Sequence, residues 1–119
     1  MDEKPPVKEL DQRLHDIWAL KQVDGVKAAP EQVTAYLEFN LTTNKVYGNT
    51  GCNSLSGEIK VEGDSIKLLN LAVTEMFCVG FKNEQEYLYR LQNPMKYSLN
   101  GLELTLISNQ SVLIFQKVD

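Results

Sequence analysis

Val33, Ala35, Leu37 and Phe39 alternate with Thr34, Tyr36, Glu38 and Asn40, a period of two that predicts a strand with one face buried. The same rhythm returns along most of the chain. Ile17-Trp18-Ala19-Leu20 reads as a first strand closed by Asp24-Gly25, and Leu41-Thr42-Thr43-Asn44 turns the chain into Lys45-Val46-Tyr47-Gly48. Glu58-Ile59-Lys60-Val61 and Ser65-Ile66-Lys67-Leu68 alternate around Glu62-Gly63-Asp64 and predict a hairpin. In Tyr97-Ser98-Leu99-Asn100-Gly101-Leu102-Glu103-Leu104, Asn-Gly between alternating residues predicts a type I′ turn with positive φ at both Asn100 and Gly101. That register sets Leu99 opposite Leu102, Ser98 opposite Glu103 and Tyr97 opposite Leu104. A last strand, Val112 to Phe115, follows the turn Ser108-Asn109-Gln110-Ser111.

One segment leaves this rhythm. Asn83 followed three residues later by Glu86 has the form of a capping box, Phe81, Leu88 and Leu91 recur at helical spacing, and Pro94 stops the run. The spacing predicts a helix over 83–92, with Phe81, Leu88 and Leu91 turned into the core and Glu84 towards water. The expected fold is α+β: a small curved antiparallel sheet or partial barrel with one short helix packed against it. Residues 1–15 read as a polar tail or tether, turning helical near 10–14, and 16–119 as the domain.

Composition narrows the classes. At 119 residues with 43% hydrophobic and 24% charged, the chain suits one globular core. The net charge of −4 and the scattered lysines and arginines argue against a nucleic-acid partner or a polybasic membrane patch. No apolar run reaches the ~18–20 residues that span a bilayer. The opening Met1-Asp2-Glu3-Lys4-Pro5-Pro6 is acidic where a signal peptide would be basic and apolar. Both a cytoplasmic protein and a mature exported domain open this way.

Few residues suggest chemistry. His15 is the one histidine and there are two cysteines, too few soft ligands for a structural zinc site. Glu84 and Glu86 lie two apart on the proposed helix, where side chains do not face each other. Helix-dipole and capping roles account for both. Gly48-Asn49-Thr50-Gly51 lacks the Lys-Ser/Thr of a phosphate loop. Trp18 and the five tyrosines fit either the core of a small sheet or the lining of a ligand pocket. The densest turn signal, Gly51-Cys52-Asn53-Ser54-Leu55-Ser56-Gly57, surrounds the first thiol, and Cys78 follows in Thr74-Glu75-Met76-Phe77-Cys78. Three readings stay open: a nucleophilic Cys52 needing His15 as base, two buried thiols, or a Cys52–Cys78 disulfide in an oxidising compartment.

In their order, Trp18-Ala19-Leu20, the Val46 to Gly48 strand, Gly51-Cys52-Asn53 with Ser56-Gly57, Thr74-x-Met76-x-Cys78, the helix to Leu91, Tyr97, Gly101, Leu102-x-Leu104 and Leu113-Ile114-Phe115 resemble the META-domain family, that of the bacterial heat-shock protein HslJ. The likeness covers 16–117. Glu75 stands where a basic residue is common and Phe77 where Ala is common, which discourages reading that loop as a shared binding surface.

The resemblance implies a small β-rich domain curled around or against one helix. It pairs the Gly-Cys-Asn and Thr-x-Met-x-Cys motifs, so that Cys52 and Cys78 are expected side by side. Family members are often exported as lipoproteins of the bacterial envelope and are linked with heat shock and novobiocin resistance, with no established enzymatic activity or cofactor. The expectation is therefore a monomeric, non-enzymatic envelope domain without cofactor, lipid-tethered in the periplasm or at the outer membrane, that binds a protein partner or supports the envelope under stress. A cytoplasmic location is the alternative. A carrier of a small apolar ligand in the mouth of the sheet and a thiol-dependent enzyme are the competing functions.

Overall fold

Alternation puts every second side chain on one face, and in this chain the apolar faces of all the long strands meet because the sheet closes on itself. The computed structural model describes residues 11–27, 35–76, 84–109 and 111–118. Among them run the strands β1 (Ile17–Val23), β2 (Val26–Lys27), β3 (Tyr36–Asn40), β4 (Lys45–Asn49), β5 (Ser54–Glu62), β6 (Ser65–Val73), β7 (Met95–Asn100), β8 (Glu103–Ser108) and β9 (Ser111–Lys117), with one helix, α1 (Glu84–Leu91). All pairings are antiparallel, in the order β2-β1-β3-β4-β5-β6-β7-β8-β9. A second pairing, of β1 with β9, closes eight of them into a barrel. The expected curved sheet thus goes further, to full closure, which leaves no free edge where β1 and β9 join.

The inward positions carry the core. Trp18, Leu37, Phe39, Val46, Leu55, Ile59, Ile66, Leu68, Met95, Leu104, Leu106, Leu113 and Phe115 are buried. Gly48 also faces inward, and a Cβ there would collide with the Tyr36 carbonyl oxygen. Two bulges keep alternation and burial in step. An extra residue in β1 between Leu20 and Gln22 lets both Leu20 and Val23 pack on the core. In β6 the register shifts opposite Gly57, with Asn70 at φ +53. The parity of β6 flips there, so Leu71 and Val73 join Ile66 and Leu68 inside. A Cβ on Gly57 would lie 2.7 Å from the Leu69 carbonyl oxygen, so the glycine is what admits the bulge.

The hairpin at residues 99–104 differs from its expected form. Asn100 pairs with Glu103 and Leu99 with Leu104, so the turn residues are Gly101 and Leu102 and positive φ falls on Gly101 alone, at +63. Gly at the first central position marks the type II′ family rather than I′. The pairing has slipped by two residues, and a slip of two keeps every side chain on its face. Alternation could not tell the two registers apart. The β5–β6 hairpin also turns on two residues, Gly63 and Asp64, with Gly63 at φ +61.

The segment read as a tail is packed from Asp11 onward. Asp11 accepts the Arg13 backbone N–H and caps a 3-10 turn, Gln12–Leu14. Leu14 is fully buried, and the Trp18 indole N–H donates to its carbonyl at 3.1 Å. The His15 ring accepts the Leu41 N–H at Nδ1, 3.0 Å away, which fixes this turn to the β3–β4 connection. Leu14 fills the barrel end where β1 begins.

Helix α1 lies at the other end. Its C-terminal half is held by Arg90, which contacts Asp24 at 2.7 Å and donates to Ser111 Oγ at 2.9 Å. The predicted face is rotated: Tyr87 and Leu91 are the buried pair, and Leu88 is only partly covered. Phe81 and Asn83, expected on the core face and at the cap, lie outside the described residues.

Candidate functional site

The turn that carries Gly51-Cys52-Asn53 joins β4 to β5. It is a tight loop: Thr50 N–H donates to the Asn53 carbonyl at 2.8 Å, and Thr50 Oγ1 accepts the N–H groups of Cys52 and Asn53 at 3.1 and 2.9 Å. Gly51 takes φ +101, a conformation side chains resist, and its N–H is held by Asn49 Oδ1 at 2.7 Å. The chemistry of Thr50, Gly51 and Asn49 therefore goes into shaping the loop.

Asn53, only 2% exposed, is the hub. Its Oδ1 accepts from Thr74 Oγ1 at 2.8 Å and from Met76 N–H at 2.6 Å, while Nδ2 donates to Met76 O at 3.2 Å and to Glu84 Oε2 at 2.8 Å. By taking both backbone groups of Met76, the side-chain amide stands in for a neighbouring peptide group and extends the β5–β6 ladder beyond its last backbone pair. Thr74 completes the seam, exchanging N–H and hydroxyl bonds with Ser54.

Glu84, the first residue of α1, closes the circuit. Its Oε2 accepts from Thr50 Oγ1 at 2.6 Å as well as from Asn53. The expectation that Glu84 faces water is overturned: the side chain turns inward to two donors, and charge-assisted bonds of this kind are about twice as strong as neutral ones. Nothing in the periodicity signals this. An acid at a helix start has an ordinary dipole role, and only the tertiary arrangement shows its second one.

The motif residues divide. Asn53 and Thr74 act through side chains, and Gly51 through backbone conformation. Met76 acts through its backbone, its side chain being 61% exposed. Cys52 Sγ lies 3.5 Å from Met76 O, and Asn53 Nδ2 approaches it at the same distance. Ser56 stands apart, exposed on the outer wall between Tyr47 and Ala72, and Gly57 serves the bulge. Cys78 lies outside the described residues.

A family model, the META domain, matches residues 10–119. The chain belongs to the META-domain family. Its start at residue 10 agrees with the packing of Asp11 and Leu14 into the barrel. The fold of this META domain is similar to two structures solved by NMR. One has 23% sequence identity and a TM-score of 0.72, over 87% of this chain and 90% of the other. The second, from Burkholderia xenovorans, has 22% identity and a TM-score of 0.71, over 98% and 99%. Likeness at these identities shows the fold alone. No curated protein matches the sequence.

The aromatics of this META domain do not converge. Trp18 is buried in the core and Tyr87 under α1, Tyr89 is 67% exposed on the helix, and Tyr97 donates to Asp11 Oδ2 at 3.2 Å. Tyr36 and Tyr47 share the lining of a shallow outer groove of about 460 Å³ over Ser54, Ser56 and Ala72. His15 and Cys52 sit at opposite ends of the barrel, since His15 bonds the connection that precedes β4 and Cys52 follows its end. No helix among the described residues is long and apolar enough to cross a membrane.

Proposed function

We propose that this META domain is a non-enzymatic module of the bacterial cell envelope, acting under stress by binding a partner protein. In this reading its Gly-Cys-Asn end is reinforced by a Cys52–Cys78 disulfide. The observation that carries the reading is the closed circuit around Asn53. Thr50, Asn53, Thr74 and Glu84 direct their polar groups at one another and at Met76, so the family motif serves to hold a loop, two strands and a helix together.

Two further observations support it. A thiol enzyme would need a base beside Cys52, and β4 alone, five residues long, separates that loop from the connection His15 binds, roughly 17 Å at strand rise. The approach of Cys52 Sγ to the carbonyl of Met76, two residues before Cys78, supports the bridge. A disulfide closing this loop would contribute about 3–4 kcal/mol by chain entropy, in an oxidising compartment.

Three measurements test the reading. Unfolded protein without reductant should show no free thiol. Fractionation should find the native protein in the envelope. A strain lacking the gene should become sensitive to heat or novobiocin, and Cys52→Ala should rescue it if the thiol has no chemistry of its own, provided the variant still folds. Two titratable thiols would remove the bridge. A folded Cys52→Ala protein that fails to rescue, beside a Cys78→Ala protein that succeeds, would restore the thiol enzyme.

A further inference from the structure

Helix α1 is joined to the barrel differently from every strand. Each strand is bound to its neighbours by backbone ladders, whereas among the described residues no backbone hydrogen bond links α1 to a strand. Its attachments are side chains in two groups. At its start, Glu84 is held by Thr50 and Asn53. Near its end, Arg90 is held by Asp24 and Ser111, and Asp24 is itself fixed by the Val112 N–H at 2.7 Å. Along the helix only Tyr87 and Leu91 are buried and Leu88 is partly covered, while Gln85, Glu86 and Tyr89 face solvent.

The buried pair fits imperfectly. Among the described residues, Tyr87 Oη is the one buried side-chain polar atom with no hydrogen-bond partner. Leaving such a group unpaired subtracts from what its ring contributes by burial. The barrel closes through β1 and β9 without α1, and among the described residues fifteen of the seventeen buried apolar side chains lie outside α1. Segments with few buried apolar contacts and no ladder open at lower free energy than the core.

We propose that α1 is a plug held by two polar clasps, which lifts off one end of the barrel as a unit while the strands stay paired. Lifting uncovers the apolar core end that Tyr87 and Leu91 cover. The clasps at Glu84 and Arg90 set how often this happens.

Native-state hydrogen exchange on the full chain tests the plug. The amides of Leu88, Tyr89, Arg90 and Leu91 are protected by the helix itself, and those of β4, β5, β8 and β9 by the barrel. In the wild type the helix amides should exchange at least about tenfold faster than the slowest strand amides, with a weaker dependence on denaturant. Arg90→Ala removes a partly buried charged contact that the lifted and the unfolded states both lack, so it should raise exchange of the helix amides and of the slowest strand amides alike, about tenfold. Ile59→Val, a buried position of β5, weakens only what the lifted state keeps, and should speed the slowest strand amides about threefold while leaving the helix amides unchanged. Helix and strand amides exchanging together in the wild type would overturn the proposal. So would an Ile59→Val protein in which helix and strand amides accelerate equally, or an Arg90→Ala protein whose helix amides keep the wild-type rate.

Discussion

Replacing Asn53 by alanine removes the hub of the Gly-Cys-Asn loop, and the loss can be worked from its bonds. Two are neutral and short, from Thr74 Oγ1 and Met76 N–H, at about 1 kcal/mol each. The third, to the Glu84 carboxylate at 2.8 Å, is worth about 1.5–3 kcal/mol because its acceptor is charged. The longer bond to Met76 O adds little. Thr74 and Met76 are exposed, so water recovers part of what they lose, and the expected cost is about 3 kcal/mol. Against a typical total of ~5–15 kcal/mol this is a large share. It should lower the melting temperature by roughly 10 °C.

Denaturant unfolding followed by Trp18, the chain's one tryptophan and a buried one, reads the change as a shifted midpoint with an unchanged slope. Asn53→Asp sharpens the test. It would set two carboxylates on the 2.8 Å contact with Glu84, so one must hold a proton. The variant should be weaker than Asn53→Ala at neutral pH and regain stability, relative to it, as pH falls towards 4. A midpoint for Asn53→Ala within about 0.5 kcal/mol of wild type, the range of an ordinary surface change, would refute the hub. An Asn53→Asp protein as stable as wild type at pH 7 would do the same.

Four further outcomes are open to measurement. Leu91→Ala should cost about 2–5 kcal/mol in equilibrium unfolding, and the partly covered Leu88→Ala less; the reverse order would restore the helix face read from periodicity. Gly48→Ala, which drives a Cβ into the Tyr36 carbonyl, should destabilise by about 1–3 kcal/mol or more. Gly101→Val has open space but φ +63 and should cost about 1 kcal/mol or more, so a neutral Gly101→Val would contradict the turn. Burial pushes the Tyr87 phenol well above the usual tyrosine range; the unfolded chain therefore loses that proton first, and stability present below about pH 10 declines above it. Tyr87→Phe should unfold at equal or higher denaturant at pH 7 and lose less stability between pH 10 and 11. Tyr97, raised by burial and by the Asp11 carboxylate, keeps part of the slope.

Where the chain alternates without interruption, its strands were legible: Leu37 and Phe39, or Leu104 and Leu106, are found inside as their period requires. Misreadings fell where a local rule has two solutions. Asn100-Gly101 fits a type I′ turn, but a register two residues away keeps the same faces and puts the glycine first in a type II′ turn. The β5–β6 hairpin is legible in the sequence only as far as Leu68, because the bulge at Asn70 breaks the period that marks a strand. Leu14 looked like part of a polar tail since one apolar residue has no period at all. The site shows the same limit. Asn53 and Thr74 stand out as motif residues, yet the partner that joins them, Glu84, is an unremarkable acid at a helix start. Its role depends on a contact between residues 31 positions apart.

The closing pair of strands has a consequence for how the protein is made. β1 pairs with β9, setting Leu20 opposite Phe115, so segments 95 positions apart must meet before the barrel exists. During synthesis β1 gains β3 early but waits for β9, with one edge open to other chains until that strand is made. Pairing of such distant segments is also slow to form. A nascent chain cut short before β9 would carry the other eight strands and no closed barrel. Its exposure to aggregation would end only when β9 is complete.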